Sequence, residues 1–378
     1  MTADHRCRSC RSDRVGLVLD LGDVPASDTF PPFSSPDPDP RWPLELYMCR
    51  DCALVQLGPA GLPAIDEQGS VESATALAHA RSAVQSIMHE EDLRSGDSVI
   101  EIDSGHGGSW LPGFVHAGLV ERDLDSTADL VIDLHGLMHE ADLDAAVAAH
   151  AARMVHGSRL VCEFYYLGAL VENSLIDTIR HGHFSYLSLD AAVRAFSRHG
   201  LIACKAERVP TFGGSLRTFV RRAQDGAEAD ASIAELLEAE NRAGLDREWA
   251  VASLAERGRV AAAAFREQLV SAADRGVSIA GYGAPSKAAV LMSLAGVDAS
   301  LLPYTVDLSQ AKHGCRIPGA HVPIRPVEDL IAAEPGEVIV LTWDIATEVI
   351  TQLRLMAQDT EWNPRFWVPL PQPGYITA

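Results

Sequence analysis

The chain has 378 residues, 47% of them hydrophobic and 22% charged, which is the make-up of a globular protein long enough for two or three cores. Its formal net charge of −21 argues against a nucleic-acid partner, because phosphate binding works through Lys and Arg releasing counterions. No apolar run reaches the length of a membrane span and the first residues lack a signal-peptide core, so a cytoplasmic location with no membrane partner is expected.

Residues 1–57 read as a zinc module. Cys7-Arg-Ser-Cys10 and Cys49-Arg-Asp-Cys52 are two matched knuckles whose thiolates can share one tetrahedral Zn²⁺. Four cysteines leave no open coordination position, so the metal is expected to be structural. Between the knuckles Pro31, Pro32, Pro36, Pro38, Pro40 and Pro43 deny the segment a core of its own, and the metal would supply the missing folding energy.

Helical spacing follows from Ser73 to Arg94, with His79 and His89 read as exposed. An apolar strand over 98–102 runs into a turn with Gly105, Gly107 and Gly108, and a second strand at 130–134 arrives within about the span of one βαβ unit. A helix over 143–154 and a buried strand over 157–164 lead to Tyr165-Tyr166 and a polar knot at 177–188. A helix at 189–199 and strands at 203–209 and 215–221, with Gly213-Gly214 between them, complete this part. Residues 224–276 read as a long helical connector. The α/β pattern then restarts with a strand at 277–280, the turn Gly281-Tyr-Gly-Ala-Pro-Ser-Lys287, a helix at 288–294, and strands at 302–306 and 338–343.

Two places carry chemistry. The turn at Gly281, Gly283 and Lys287 offers backbone N–H groups, a helix start and a point charge to a diphosphate, and Asp307 stands where a ribose-binding acid is expected. The knot Arg180-His181-Gly182-His183 offers acid–base groups that titrate near neutrality.

The chain resembles a family: the three-domain C-methyltransferases that act on nucleotide-linked 4-keto deoxysugars. The resemblance rests on the four cysteines, Asp177-Thr-Ile-x-His-x-His-Phe-Ser-Tyr186, Gly213-Gly-Ser-Leu-Arg217, the turn Gly281–Lys287, and Asp307-x-Ser-x-x-Lys312-x-Gly314 with Pro318-Gly319. It implies a zinc module at 1–57, a methyltransferase-like Rossmann domain with the active-site loop at 58–223, and a helical connector with a Rossmann-like nucleotide-sugar domain at 224–378. It also implies that S-adenosylmethionine binds the middle domain and that His183 deprotonates C3. Tyr166, Gly214, Arg217, Gly281, Gly283, Lys287 and Lys312 become substrate-binding candidates for a TDP-linked sugar.

The departures gather in the middle domain. The family's E-I-G-S-N-D-G turn is Glu101-Ile-Asp-Ser-Gly-His-Gly107, so that Asp103 stands where the methionine carboxylate is bound in the family. The Asn-Asn after the following strand is Leu134-His135, Tyr-His-Glu-His is Arg180-His-Gly-His183, and a tyrosine near Gln68-Gly69 is absent. Between Trp110 and Ala128 there is no room for the acid-ended strand, helix and further strand of an adenosyl pocket, which need roughly forty residues. The domain therefore reads as degenerate, with S-adenosylmethionine not expected. The favoured activity is an NAD(P)H-dependent 4-ketoreduction, with His181 or His183 protonating the alkoxide, Arg180 stabilising it and Asp307 holding the dinucleotide. Alternatives are a cofactor-free C3 epimerase or tautomerase using His183, the ancestral 3-C-methyltransferase, and a non-catalytic nucleotide-sugar-binding partner.

Overall fold

Three β-sheets carry the chain in the computed structural model, which describes residues 6–58, 72–102 and 108–376. The first sheet contains β1 (Val15–Pro25), β2 (Arg41–Cys49) and β3 (Val55–Leu57), all antiparallel, and is completed by β8 (Ser185–Tyr186) from the middle of the chain. The expectation that this segment lacks a core needs refinement. Val18, Leu44, Leu46 and Met48 are buried, but against Leu167, Leu170, Ile176 and Val251 from later parts of the chain. The module thus borrows its core, a sharing that local composition does not reveal.

The second sheet runs in the order β5 (Val120–Glu121), β4 (Ser98–Ile102), β6 (Ala128–Leu134), β7 (Met154–Tyr165), β10 (Ser215–Arg222), β9 (Leu201–Val209). Its first four strands are parallel, and β10 is antiparallel to both of its neighbours. Helices α1 (Ala74–Glu90), capped by Ser73, and α2 (Leu111–His116) cover one face. On the other face lie α4 (Leu143–Ala152) and α6 (Leu189–Arg198). Two short helices, α3 (Gly136–His139) and α5 (Leu167–Asn173), begin directly beyond the carboxyl ends of β6 and β7.

The edge at β5 is clipped. β4 pairs with β6 from Val99–Leu130 to Ile102–Asp133, whereas β5 reaches only Ser98 and Val99. After Glu121 the chain turns straight back to Ala128, and among the described residues no strand lies beyond β5.

The connector is two helices, α7 (Ala231–Ala243) and α8 (Glu248–Asp274). The break comes at Gly244, a left-handed cap with φ 68° where a Cβ would come within 2.3 Å of Trp249. The third sheet is doubly wound. Its order is β13 (Arg316–Ile317), β14 (Val322–Arg325), β12 (Thr305–Val306), β11 (Ile279–Tyr282), β15 (Glu337–Val340), β16 (Arg365–Val368) and β17 (Gly374–Ile376). Helices α9 (Ser286–Ala295), α10 (Val327–Ala333) and α11 (Ala346–Met356) flank it. Among the described residues no helix is long and apolar enough to cross a membrane.

The proline-rich loop of the first module is seated on this third sheet. Arg316 is fully buried and donates to the carbonyls of Pro32, Ser35 and Asp37 at 2.8–3.0 Å and to Asp39 Oδ1 at 2.8 Å. Gly319 N–H donates to the other oxygen of Asp39 at 2.7 Å. One guanidinium therefore satisfies a loop that has too few apolar residues to dock by burial alone. Removing one partner of a buried ion pair strands the other charge. Arg316→Met is expected to cost about 3 kcal/mol or more in urea unfolding, and a loss below about 1 kcal/mol would show that water replaces the contact.

Candidate functional site

The four thiolates of the first module fit a tetrahedral metal. Their Sγ atoms all lie within 4.8 Å of one another, with Cys7–Cys52 at 3.5 Å and Cys10–Cys49 at 3.6 Å. Zn–S bonds of about 2.3 Å require S···S separations of roughly 3.8 Å. Backbone N–H groups of Ser9 and Cys10 point at Cys7 Sγ, and that of Asp51 at Cys49 Sγ, each at 3.4 Å, which favours thiolates over thiols. These are the residues that would hold the zinc, and their closed ligand set gives it a structural role. Chelation is expected to lower the unfolding temperature of the whole chain, because the first sheet shares its core with later elements. Calorimetry with and without chelator checks this.

The second centre lies where β6 and β7 end. His183 donates from Nδ1 to the Thr178 carbonyl at 2.9 Å, which fixes the tautomer and leaves the Nε2 lone pair as the basic atom. Its ring stands 5.0 Å from His139, at the end of α3, and 5.6 Å from Tyr165, the last residue of β7. Tyr165 in turn touches His135 at 4.7 Å and Phe212 at 6.1 Å between ring centres. His135 (φ 62°) and Phe212 (φ 56°) both occupy the left-handed region, which non-glycine residues take only when their surroundings hold them there. Burial pushes the His139 imidazole down to about 4, helped by the positive Arg180, and burial likewise lowers His135. Both are neutral rings at physiological pH. The result is a partly buried cluster of imidazole and aromatic rings at the carboxyl ends of parallel strands, the position at which α/β sheets bind ligands.

The structure distributes the residues singled out from sequence unevenly. His183 is in the cluster. His181 is turned away from it, with Nε2 3.1 Å from the Pro43 carbonyl and its ring against Trp42, so it lies in the wall between the loop and β2. Arg180 forms a buried ion pair with Asp28. Tyr166 faces the opposite side of the sheet from Tyr165, under Arg208, and burial and the Glu240 carboxylate raise its phenol. The alternation of β7 reverses the choice between the two tyrosines. Arg217 is buried between Glu163 (2.8 Å) and Glu207 (2.9 Å), over the Trp110 ring, and braces the sheet. Glu163 also meets His79 at 2.7 Å, so His79, expected to be exposed, is a largely buried partner. Burial raises the Glu163 carboxyl, but His79 and Arg217 outweigh it and leave it below its ordinary value. Gly214 supplies a carbonyl to Tyr166 N–H, and a Cβ there would lie 2.5 Å from Ala169.

The glycine turn of the third sheet is satisfied internally. Asp307 accepts from Ala284 N–H at 2.6 Å and Ser309 N–H at 2.8 Å, so its carboxylate is spent on the turn. Lys312 donates to the Ala284 carbonyl at 2.9 Å, and Lys287 pairs with Asp344 at 2.7 Å over the Trp343 ring. Gly281 and Gly283 make room for Thr305 and Thr342. The assignment of Asp307 to a dinucleotide is therefore corrected. Gly105, Gly107, Asp103 and the Gln68-Gly69 region lie outside the described residues.

Trp343 connects this turn to the cluster. Its indole N–H donates to Asp177 Oδ2 at 2.7 Å, and a Cβ on Gly213, the neighbour of Phe212, would lie 2.7 Å from its ring. Sequence reasoning missed His135, His139, Tyr165 and Phe212. Their common signal is position: the first two follow a parallel strand and Tyr165 ends another.

The Asp177 carboxyl is fully buried, and burial raises it from 3.8 to about 6. A folded value above the unfolded one means that folding takes up a proton. The resulting stability is present below pH 3.8 and lost as pH rises through about 6. Asp177→Asn keeps an acceptor for Trp343 and removes the titration. It is expected to gain on the wild type by about 1–3 kcal/mol between pH 4 and pH 7.5 in denaturant unfolding. A difference independent of pH would disprove the buried titration.

Comparison with known proteins places this geometry. Residues 7–63 match a zinc binding domain family and residues 210–371 the C-methyltransferase C-terminal domain family. The C-methyltransferase NovU of Streptomyces niveus is 26% identical over 415 aligned positions, covering 98% of this chain and 97% of that protein. Solved structures overlap over less of the chain. Magnesium protoporphyrin IX methyltransferase from Synechocystis with bound SAH is 14% identical, covering 41% of this chain and 90% of that one with a TM-score of 0.30. The mitomycin 7-O-methyltransferase MmcR is 14% identical, covering 39% and 54% with a TM-score of 0.31.

The expectation of NAD(P)H-dependent reduction without S-adenosylmethionine is overturned by these matches. The near full-length relative is a C-methyltransferase, and so is the family matched by the C-terminal part. The physical reason is visible in the sheet. The edge strand β5 is short, but β4 and β6 stay paired from Val99–Leu130 to Ile102–Asp133, so the strand ends of the sheet's centre are present.

Proposed function

We propose, from the zinc-binding and C-terminal domains that this chain shares with C-methyltransferases, that it is an S-adenosylmethionine-dependent C-methyltransferase. Its substrate is a nucleotide-diphosphate-linked 4-keto deoxyhexose, the class implied by the sequence motifs around His183 and Gly281. The observation that carries the reading is the cluster of buried His183 with half-buried His139 and Tyr165 at the ends of β6 and β7.

The donor supplies an electrophilic methyl group on a positively charged sulfur. Ile102 and His135, which end β4 and follow β6, are the described residues that would border it. A carbanion is needed to accept that methyl, and the protein's task is to make one. His183 Nε2 takes the proton from the carbon next to the ketone. The C–H electron pair enters the carbonyl system as an enolate, and the same carbon then forms the new C–C bond as the donor's carbon–sulfur bond breaks. Carbon acids of this kind need a base held close and shielded from water, which a buried imidazole with a locked tautomer provides. Arg180 lies close enough to affect His139 electrostatically and would face the developing enolate oxygen. Lys287 and Lys312 belong to the adjoining turn, where nucleotide phosphates would approach.

Titration calorimetry is expected to show micromolar binding of S-adenosylmethionine. Mass spectrometry of a TDP-linked 4-keto-2,6-dideoxyhexose should show one added methyl group. His183→Ala should lower that rate by about 10²–10⁴-fold and also abolish solvent deuterium exchange at C3 in the absence of donor. A variant that exchanges C3 deuterium at the wild-type rate would remove His183 as the base.

A further inference from the structure

One carboxylate in this region has no part in the chemistry just described. Asp28 belongs to the first module, just after β1, and is buried in an ion pair with Arg180 of the active-site loop. Basic groups from separate elements surround it. Its charge acts on His181 of the loop, on His139 at the end of α3, and on Lys312 of the third sheet as well as on Arg180. Gly182 lies alongside: its φ of 90° is a conformation that favours glycine, and a Cβ there would sit at ordinary contact distance, 3.6 Å, from both Arg180 Nη1 and Asp28 Oδ2.

The guanidinium is used on one side only. Nη1 donates to Asp28 and, at 3.4 Å, to the His181 carbonyl. Among the described residues no hydrogen bond falls on Nε or Nη2 of this largely buried side chain. The backbone of the same residue is clamped as well. Its N–H donates to Tyr186 Oη at 3.1 Å, and its carbonyl accepts from His183 N–H at 3.3 Å. Arg180 is thus fixed at its root and at one tip, with two donors uncommitted among the described residues, and its charge reaches His139, whose ring stands 5.0 Å from His183.

We propose that Asp28 is a positioning residue for the reaction: through Nη1 it holds the Arg180 guanidinium so that Nε and Nη2 meet the carbonyl oxygen of the ketosugar as His183 removes the neighbouring proton. The inference rests on the function proposed above. A free arginine side chain samples many rotamers, and a hydrogen-bond donor stabilises developing charge best when it is already in place. The zinc module becomes a contributor to catalysis, because the residue that orients the oxyanion donor is carried on its sheet.

The test is a double-variant cycle in the full-length zinc-loaded protein, with methyl transfer to the TDP-linked 4-keto-2,6-dideoxyhexose as readout. Asp28→Asn is expected to lower kcat at least about 10-fold with KM changed less than about 3-fold, and Asp28→Glu should recover part of the loss. If Asp28 acts through Arg180, then Asp28→Asn adds nothing to Arg180→Met, and the double variant is no slower than Arg180→Met alone. The double variant removes both buried charges, so it should unfold at a higher temperature than either single variant, which keeps the cycle readable if a single one folds poorly. Losses that multiply, or a kcat unchanged in Asp28→Asn, would overturn the positioning role. An inactive wild type would instead remove the proposed function, and this inference with it.

Discussion

The pairing of Ser185-Tyr186 with β3 is the constraint on which the rest of the structure depends. Through it a two-residue strand from the middle of the chain closes the first sheet. The ten residues before it are then held from three directions. Asp177 is tied to Trp343 of the third domain, Arg180 to Asp28 of the first, and His183 stands against the ends of β6 and β7 in the second. None of the three sheets would place His183 by itself. His183 is where it is because a loop of this length has been given an anchor on each sheet.

That arrangement explains why so much charge is buried. Arg316 with Asp39 and Arg180 with Asp28, each joining elements of different sheets, are largely or wholly out of water. Buried ion pairs add little net stability, because desolvation consumes most of the attraction. They do discriminate strongly between the matched arrangement and any other, since a displaced partner is left charged and dry. Three domains joined mainly by hydrophobic surface would tolerate sliding by an ångström or two. These pairs are much less tolerant, and a reaction that needs a base and an oxyanion donor in register benefits from that.

The parts legible in sequence were those with local causes. The cysteine knuckles, the strand at β4, the helix capped by Ser73 and the turn into α9 each follow from residue types within a few positions. The parts that were not legible depend on partners distant in the chain. His79 read as a surface histidine because its partner, Glu163, lies 84 positions away. Tyr166 stands among the substrate-binding candidates and Tyr165 does not, because sequence does not say which of two adjacent tyrosines at a strand end faces the site. Asp307 looked like a ribose acid because its two N–H donors, Ala284 and Ser309, are supplied by a turn whose closure sequence alone does not show. In each case a polar side chain that looked available was already satisfied.

The shortened edge of the second sheet was also misread, for a different reason. The stretch between Trp110 and Ala128 is short, and β5 within it is only two residues long. The further step, from a missing edge to a missing activity, treated the sheet as if every strand mattered equally to the chemistry. A parallel sheet binds at the carboxyl ends of its central strands, and here β4, β6 and β7 retain their register to those ends. The alignment to the curated C-methyltransferase spans 415 positions against 378 residues here, so that relative carries stretches with no counterpart in this chain. Losing an edge strand opens one side of a pocket and exposes more of its contents to water. It leaves in place His183, its tautomer and the carboxyl ends of β4, β6 and β7.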